Sequence, residues 1–221
     1  SVNSGPRTRG RPRKFDRDAA LAQATCLFWH RGFRGTSIAD LSEAMGIGSP
    51  SLYAAFGSKA DLYAETLRYY RESYGALAWG RFFSAESARE AVRCLLLDAA
   101  ELFAKCRVDE VSGCMVTLAS VDDETAELRE FIRGLRALTL DRLEERVRLA
   151  IAGGEISPLV DTHALSRFAE AVLNGMSVEA RSGATVADLR GVAEVAMLGW
   201  DASVSDGGDH RKQSNGSRSI R

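Results

Sequence analysis

TSIADLSEAMGIGSPSLYAAFGSKADLY, residues 36–63, places three helix starts within a single short stretch. Ser37 is followed three residues later by Asp40, the spacing at which a hydroxyl and a carboxylate satisfy each other's backbone amides at a helix N-terminus. Ser58 and Asp61 repeat that spacing, and Ser49 stands before Pro50, which suits an N-cap followed by proline in the first turn. Gly46 and Gly48 lie between the first two starts and permit a tight reversal. Ile38, Leu41, Ala44 and Met45 fall on one face of the first of these helices, and Leu52 and Phe56 on one face of the second. Two short helices across a Gly-containing turn, with a third helix starting at once, read as a helix-turn-helix.

Upstream, residues 1–14 are rich in Gly, Pro, Arg and Ser and read as a flexible basic arm. Helical periodicity begins after Asp16, with Ala20, Ala24, Leu27 and Phe28 at spacings of three and four, and ends near Gly32 behind His30 and Arg31. Residues 15–58 therefore form a small three-helix unit. Downstream, a longer helix runs from Lys59 towards Trp79, with Gly75 or Gly80 as its first breaks, and joins that unit to a body spanning 59–200. In the body, Ser87 and Glu90 cap an amphipathic helix that includes Phe103, and Glu124 to Ala152 reads as one long helix stopped by Gly153 and Gly154. Two more follow at about 162–181 and 185–199, introduced by Asp161 and by Thr185 with Asp188. Residues 201–221 are polar and Gly/Ser-rich and read as a disordered tail. Alternation with period two is never sustained, so the expected fold class is all-α.

The chain has 221 residues, 45% of them hydrophobic, and a net charge of −1. That charge is unevenly spread: residues 1–65 carry nine Lys/Arg against six Asp/Glu, and Arg7, Arg9, Arg11, Arg13 and Lys14 precede the first acid. A basic end on a mildly acidic body fits a protein that meets phosphate at one end only. The four cysteines form no CxxC pair, and the three histidines keep no ligand spacing with them, which argues against a structural zinc. With no long apolar run and no apolar leader, a reduced, cytoplasmic location without membrane contact is expected. No nucleophile elbow, phosphate loop, HExxH or GxGxxG occurs, so catalysis has no support and no cofactor is expected.

From Arg17 to Leu62 the chain resembles the DNA-binding domain of TetR-family transcriptional repressors. The carrying residues are Phe28-Trp29-His30-Arg31-Gly32-Phe33, Gly35-Thr36-Ser37-Ile38, Met45-Gly46-Ile47, Ser51-Leu52-Tyr53, Phe56 and Ser58-Lys59-Ala60-Asp61-Leu62. Gly113-Cys114-Met115 also looks like a segment of a subgroup that includes electrophile sensors. The resemblance implies a homodimer with an N-terminal operator-binding domain and a C-terminal domain that holds the dimer interface and a pocket for a small-molecule effector. Ligand binding then moves the connecting helix and separates the two recognition helices.

Within that frame the residues expected to meet double-stranded operator DNA are Thr36, Ser37, Gly48, Ser49, Pro50, Ser51, Tyr53 and Lys59. Small residues at a helix N-terminus fit deep in a major groove, and helix amides face phosphate. Arg11 and Arg13 of the arm add phosphate attraction or minor-groove contact. Phe103, Met115, Phe131, Phe168 and Met176 are the candidate ligand contacts, with Trp79, Phe82 and Phe83 behind them; for any one of them ordinary core packing is the competing reading. Cys106 and Cys114 are open to two readings, thiol sensors near Lys105 and Arg107 or small apolar residues in a helical core. Cys26 and Cys94 read as packing residues. The alternating Glu and Arg residues between Glu127 and Arg146 read as a solvated helix face. The helices at about 162–181 and 185–199, with Ala171, Gly175 and Ala193, are expected to form a four-helix dimer interface.

Overall fold

The computed structural model describes residues 16–105, 111–119 and 125–205. Among the described residues the chain is helical throughout: α1 (Arg17–Arg31), α2 (Ile38–Met45), α3 (Ser49–Phe56), α4 (Lys59–Ser84), α5 (Ala88–Lys105), α6 (Met115–Leu118), α7 (Ala126–Ala152), α8 (Thr162–Arg181) and α9 (Val186–Ser205). Most starts are capped as the sequence implies. Asp16 accepts from the Ala19 amide at 3.1 Å, and Ser37 with Asp40 and Ser58 with Asp61 close reciprocal capping boxes. Thr185 and Asp188 form a third such pair.

Three boundaries differ from the sequence reading. The N-cap of α3 is Gly48, with Ser49 as its first helical residue and Pro50 its second. The α4 helix runs through both Gly75 and Gly80 to Ser84; a Cβ at either glycine would meet open space, so neither marks a close approach or a turn. Their helix cost of roughly 1 kcal/mol each is outweighed by burial of Ala78 and Phe82 against α5. The α9 helix continues to Ser205 rather than giving way to the expected tail, because Trp200 is buried and Asp201 binds Arg89 at 2.6 Å. At Ser87 the hydroxyl accepts from the Glu90 amide and caps α5, while the next two amides, of Ala88 and Arg89, donate to the distant Glu155 carboxylate.

Two cores result. The larger joins the C-terminal part of α4 to α5, α8, α9 and the second half of α7. The smaller contains Phe28, Leu41, Leu52 and Leu62 from α1–α4, and also Met115 and Val116 of α6 and Leu128, Ile132 and Leu135 of α7. The three-helix unit therefore shares its core with the body. Burial of a leucine such as Leu52 or Leu62, both fully enclosed, stabilises by roughly 1.5–3 kcal/mol. Aromatic contacts weld α1 to α4: Phe28 meets Tyr63 edge-on at 4.9 Å, and Trp29 meets Tyr70 at 4.8 Å.

Three aspartates that hold helix starts, Asp40, Asp61 and Asp188, have pKa values lowered chiefly by the hydroxyls of Ser37, Ser58 and Thr185. A carboxyl depressed in the folded state stabilises above its unfolded pKa and loses that contribution as pH falls through the folded one. The melting midpoint is accordingly expected to drop below about pH 4, and Asp61→Asn to flatten part of that drop. Circular-dichroism melts across a pH series check this; an unchanged acid limb in Asp61→Asn would remove Asp61 from the account.

Candidate nucleic-acid interface

The α3 helix is anchored by two buried side chains and presents its other face to solvent. Leu52 and Phe56 point into the smaller core, while Gly48, Pro50 and Ser51 are exposed and Tyr53 is half-exposed. Arg17 ties the unit together: its guanidinium lies 4.4 Å from the Phe56 ring centre and binds Glu65 of α4 at 2.8 Å. The Ser49 hydroxyl pairs with that of Ser42 at 3.2 Å, fixing α3 to α2 across the turn. That turn closes through Gly46 at φ 65, with the Ile47 amide on the Ser42 carbonyl.

The helix ends differ electrically. The capping carboxylates Asp40 and Asp61 offset part of the positive ends of α2 and α4. The cap of α3 has no side-chain acceptor, Pro50 has no amide, and Leu52 already donates to the Gly48 carbonyl. The amides of Ser49 and Ser51 are left as the donors at this N-terminus, a ready anion site. Of the three helix starts in this stretch, that of α3 alone has no side-chain cap among the described residues.

Thr36 departs from its expected surface role. Its side chain is buried and its hydroxyl donates to the Gly32 carbonyl at 2.7 Å, bracing the α1–α2 turn. Next to it, a Cβ on Gly35 would stand 2.4 Å from the Arg31 carbonyl oxygen, so the Gly-Thr pair is a packing requirement of this turn. Ser37 is exposed. Lys59 lies over the Phe33 ring with its nitrogen 4.3 Å from the centre, and burial lowers its pKa. Arg11 and Arg13 lie outside the described residues.

A cavity of about 500 Å³ opens in the body beneath α4, against α5–α8. Of the candidate ligand contacts, Phe103 and Cys114 line it, and so do Trp79 and Phe83. The other candidates lie elsewhere. Phe131 carries Arg68 over its ring at 4.4 Å and packs against the smaller core. Phe168 is exposed on the outer side of α8 beside Gly199, and Met176 is enclosed in the larger core. Met115 points away from the cavity, towards Phe28 and Trp29. Cys106 lies outside the described residues. Cys94 behaves as a packing residue: burial pushes its thiol pKa up, and its sulfur sits 3.2 Å from Glu90.

The polar cavity wall was not foreseen. It includes Arg71, Arg136, Arg142, Thr117, Glu170 and Asn174. Arg136 donates to the carbonyls of Thr117 at 3.0 Å and Ala119 at 2.6 Å, clamping α6, while Thr117 donates to Asn174. The α7 face read as fully solvated is so only in part. Arg133 and Arg148 do pair with Glu130 and Glu145, but Arg142 turns inward over Trp79 and Arg146 donates to the Ala85 carbonyl. Leu128, Ile132, Leu135, Thr139 and Arg142 share one helical stripe, so the inward register of Arg142 was present in the spacing.

Between cavity and three-helix unit lies the segment 111–119. Its Val116 and Thr117 border the cavity, and its Met115, Leu118 and Ala119 border α1. Arg181, at the end of α8, reaches the same place and donates to the Trp29 carbonyl at 2.8 Å.

A helix-turn-helix with an open, uncapped α3 terminus, set on a cavity-bearing helical body, is the arrangement of a DNA-binding transcription regulator. The sequence profile of bacterial regulatory proteins of the tetR family matches residues 20–66. The chain is 32% identical to the HTH-type transcriptional repressor ComR of Escherichia coli K12, across 88% of this chain and 93% of that protein. It is 29% identical to the repressor BdcR of the same organism, across 86% and 91%. Among solved structures it is similar to a cysteine-substituted form of the TetR family transcriptional regulator CifR complexed with 26-bp double-strand operator DNA (39% identity, 86% of this chain and 100% of that one, TM-score 0.78). The chain belongs to the TetR family of transcriptional regulators. No helix among the described residues is long and apolar enough to cross a membrane.

Proposed function

We propose that this protein is a sequence-specific repressor that binds a palindromic operator as a homodimer and is released by a small molecule in the C-terminal cavity. The observation that carries it is the open edge of α3, Gly48 to Ser51 with Tyr53, held on a helical unit whose Leu52 and Phe56 are buried in the smaller core. Each subunit lays α3 in a major groove, with half-sites one turn apart, about 34–36 Å, or a multiple of it. Ser37, Ser49, Tyr53 and Lys59 meet the DNA backbone; Gly48, Pro50 and Ser51 enter the groove; Arg11 and Arg13 add charge from the arm; Thr36 shapes the turn. Such a protein works where the DNA is, in the cytoplasm.

The dimer reading rests on a stripe of α8 and α9. Phe168, Val178, Val192, Val195 and Leu198 are large, apolar and exposed. On α8, Phe168 and Val178 flank the exposed small residues Ala171 and Gly175. Ala193, expected at the interface, is instead buried inside the subunit. Two such stripes packed across a two-fold axis make a four-helix bundle. A monomer at micromolar concentration in sedimentation would remove this element.

Selection of DNA from a random pool by the purified protein tests the operator reading, and recovery of no common palindrome would defeat it. With the selected site in hand, Lys59→Ala is expected to reduce the slope of log affinity against log salt by about one per subunit. An unchanged slope would place Lys59 away from phosphate.

A second reading, a thiol-based redox or electrophile sensor using Cys106 or Cys114, draws on the place of Cys114 in the cavity wall, where it is partly exposed. Its test is the operator affinity of single Cys→Ser variants with and without oxidant. An oxidant response that survives in both variants would exclude it.

A further inference from the structure

The cavity is apolar over most of its wall, yet its charged groups are unequal in sign. Glu170 is satisfied by Arg167 at 2.9 Å, and Arg136 is spent on α6 carbonyls. Arg71 and Arg142 remain. Both line the cavity, both are partly buried, and neither makes an ion pair or hydrogen bond to any described residue. The exposed Glu72 is the other acid on the wall, and it too forms no ion pair with a described residue. Arg142 is instead stacked on aromatic faces, 4.9 Å from the centre of Trp79 and 5.5 Å from that of Phe83. Arg133 and Arg148 on the same helix find glutamates one turn away, so the isolation of Arg142 belongs to its place in the cavity. Two guanidinium groups on the wall of one largely apolar chamber, neither paired with a carboxylate of a described residue, are costly to hold without an anion. Burial, and secondarily Arg71, lowers the pKa of Arg142, the direction that this repulsion demands.

Resting on the reading of this chamber as the effector site, we propose that its ligand is an organic anion with an aromatic or otherwise apolar body. The acidic head, a carboxylate or a phosphate ester, sits between Arg71 and Arg142. The body lies against Trp79, Phe83, Leu95 and Phe103. The planar guanidinium of Arg142 can stack on the rings and still bind two oxygens through its edge. The volume suits a ligand of ordinary metabolite size.

The test uses the full-length protein and three probes sharing one body: 2-naphthylacetate, 2-naphthyl phosphate and the neutral 2-naphthylacetamide. Affinities are read by calorimetry and by quenching of tryptophan fluorescence. At least one anion is expected to bind ten-fold or more tightly than the amide, and the stronger of the two identifies the head group. In Arg142→Gln and Arg71→Gln that preference should shrink to about two-fold while amide binding persists. An amide that binds as well as both anions, a preference that survives in the double variant, or no heat from either anion at millimolar concentration would overturn the proposal. The wild-type comparison decides even if a variant folds poorly. Release of operator DNA by the bound anion is measured separately. Anion-selective binding without release would leave the ligand class standing and defeat the effector reading instead.

Discussion

Ser51→Asp is expected to weaken operator binding by about 30-fold or more while leaving the subunit as stable as before, or more so. Ser51 is the third residue of α3, exposed, with no hydrogen bond from its side chain to any described residue. An acid in the first turn of a helix complements its dipole, and here it would also face amides left without a cap. The same carboxylate would stand where the groove brings phosphates and base edges, replacing attraction by repulsion in each of two subunits. At about 1–3 kcal/mol per disrupted contact, two copies amount to at least a 30-fold loss, written as about 2 kcal/mol or more. Fluorescence anisotropy with the selected operator, alongside a thermal melt, separates the effects. Retained affinity would show that α3 is not the reading helix; a lowered melting midpoint would show that the loss is one of folding.

The second large effect is Gly113→Ala. Gly113 has φ 81, and a Cβ there would lie 2.6 Å from the Ser177 carbonyl oxygen and 2.8 Å from Leu118. Its amide donates to the Phe103 carbonyl and the neighbouring Cys114 amide to the Ser177 hydroxyl, so the backbone is pinned from α5 and α8 at once. Left-handed strain of about 1–2 kcal/mol adds to an overpacking cost of about 1–3 kcal/mol. The midpoint should fall by roughly 5–15 °C, seen in calorimetry. Gly134→Ala is the control: the added methyl meets nothing, the site is helical, and the change should be neutral or mildly stabilising. Equal effects at the two glycines would refute the account. Since the segment 111–119 borders both the cavity and α1, Gly113→Ala should also weaken any effect of a cavity ligand on operator affinity.

The helix-turn-helix was legible because its signals are local. Ser37 with Asp40 and Ser58 with Asp61 are caps set by neighbours three residues away, and the reversal needs only Gly46. Where position depends on distant packing, local signals mislead. Gly75 and Gly80 look like helix ends, but Phe82 beyond them has a core to enter. Asp201 looks like the start of a polar tail, but Arg89, far away in sequence, holds it. Phe131 and Phe168 carry the same apolar signal as Phe103, yet only Phe103 meets the cavity. For Arg142 the spacing gave the correct inward register, and the charge pattern around it argued the other way.

Arg181 and the aromatic contacts across α1 and α4 bear on how this protein can be re-engineered. A chimera that exchanges the DNA-reading part at the natural-looking seam, between Gly57 and Lys59, would leave Phe28 and Trp29 behind one cut and Tyr63 and Tyr70 behind the other. It would also set the Arg181 guanidinium against a foreign α1, whose last carbonyls have to fall where those of Trp29 and His30 now accept from it. A functional graft has to carry the first four turns of α4 with α1–α3 and match the end of α1 to Arg181; changing only the exposed edge of α3 would leave all of these contacts in place.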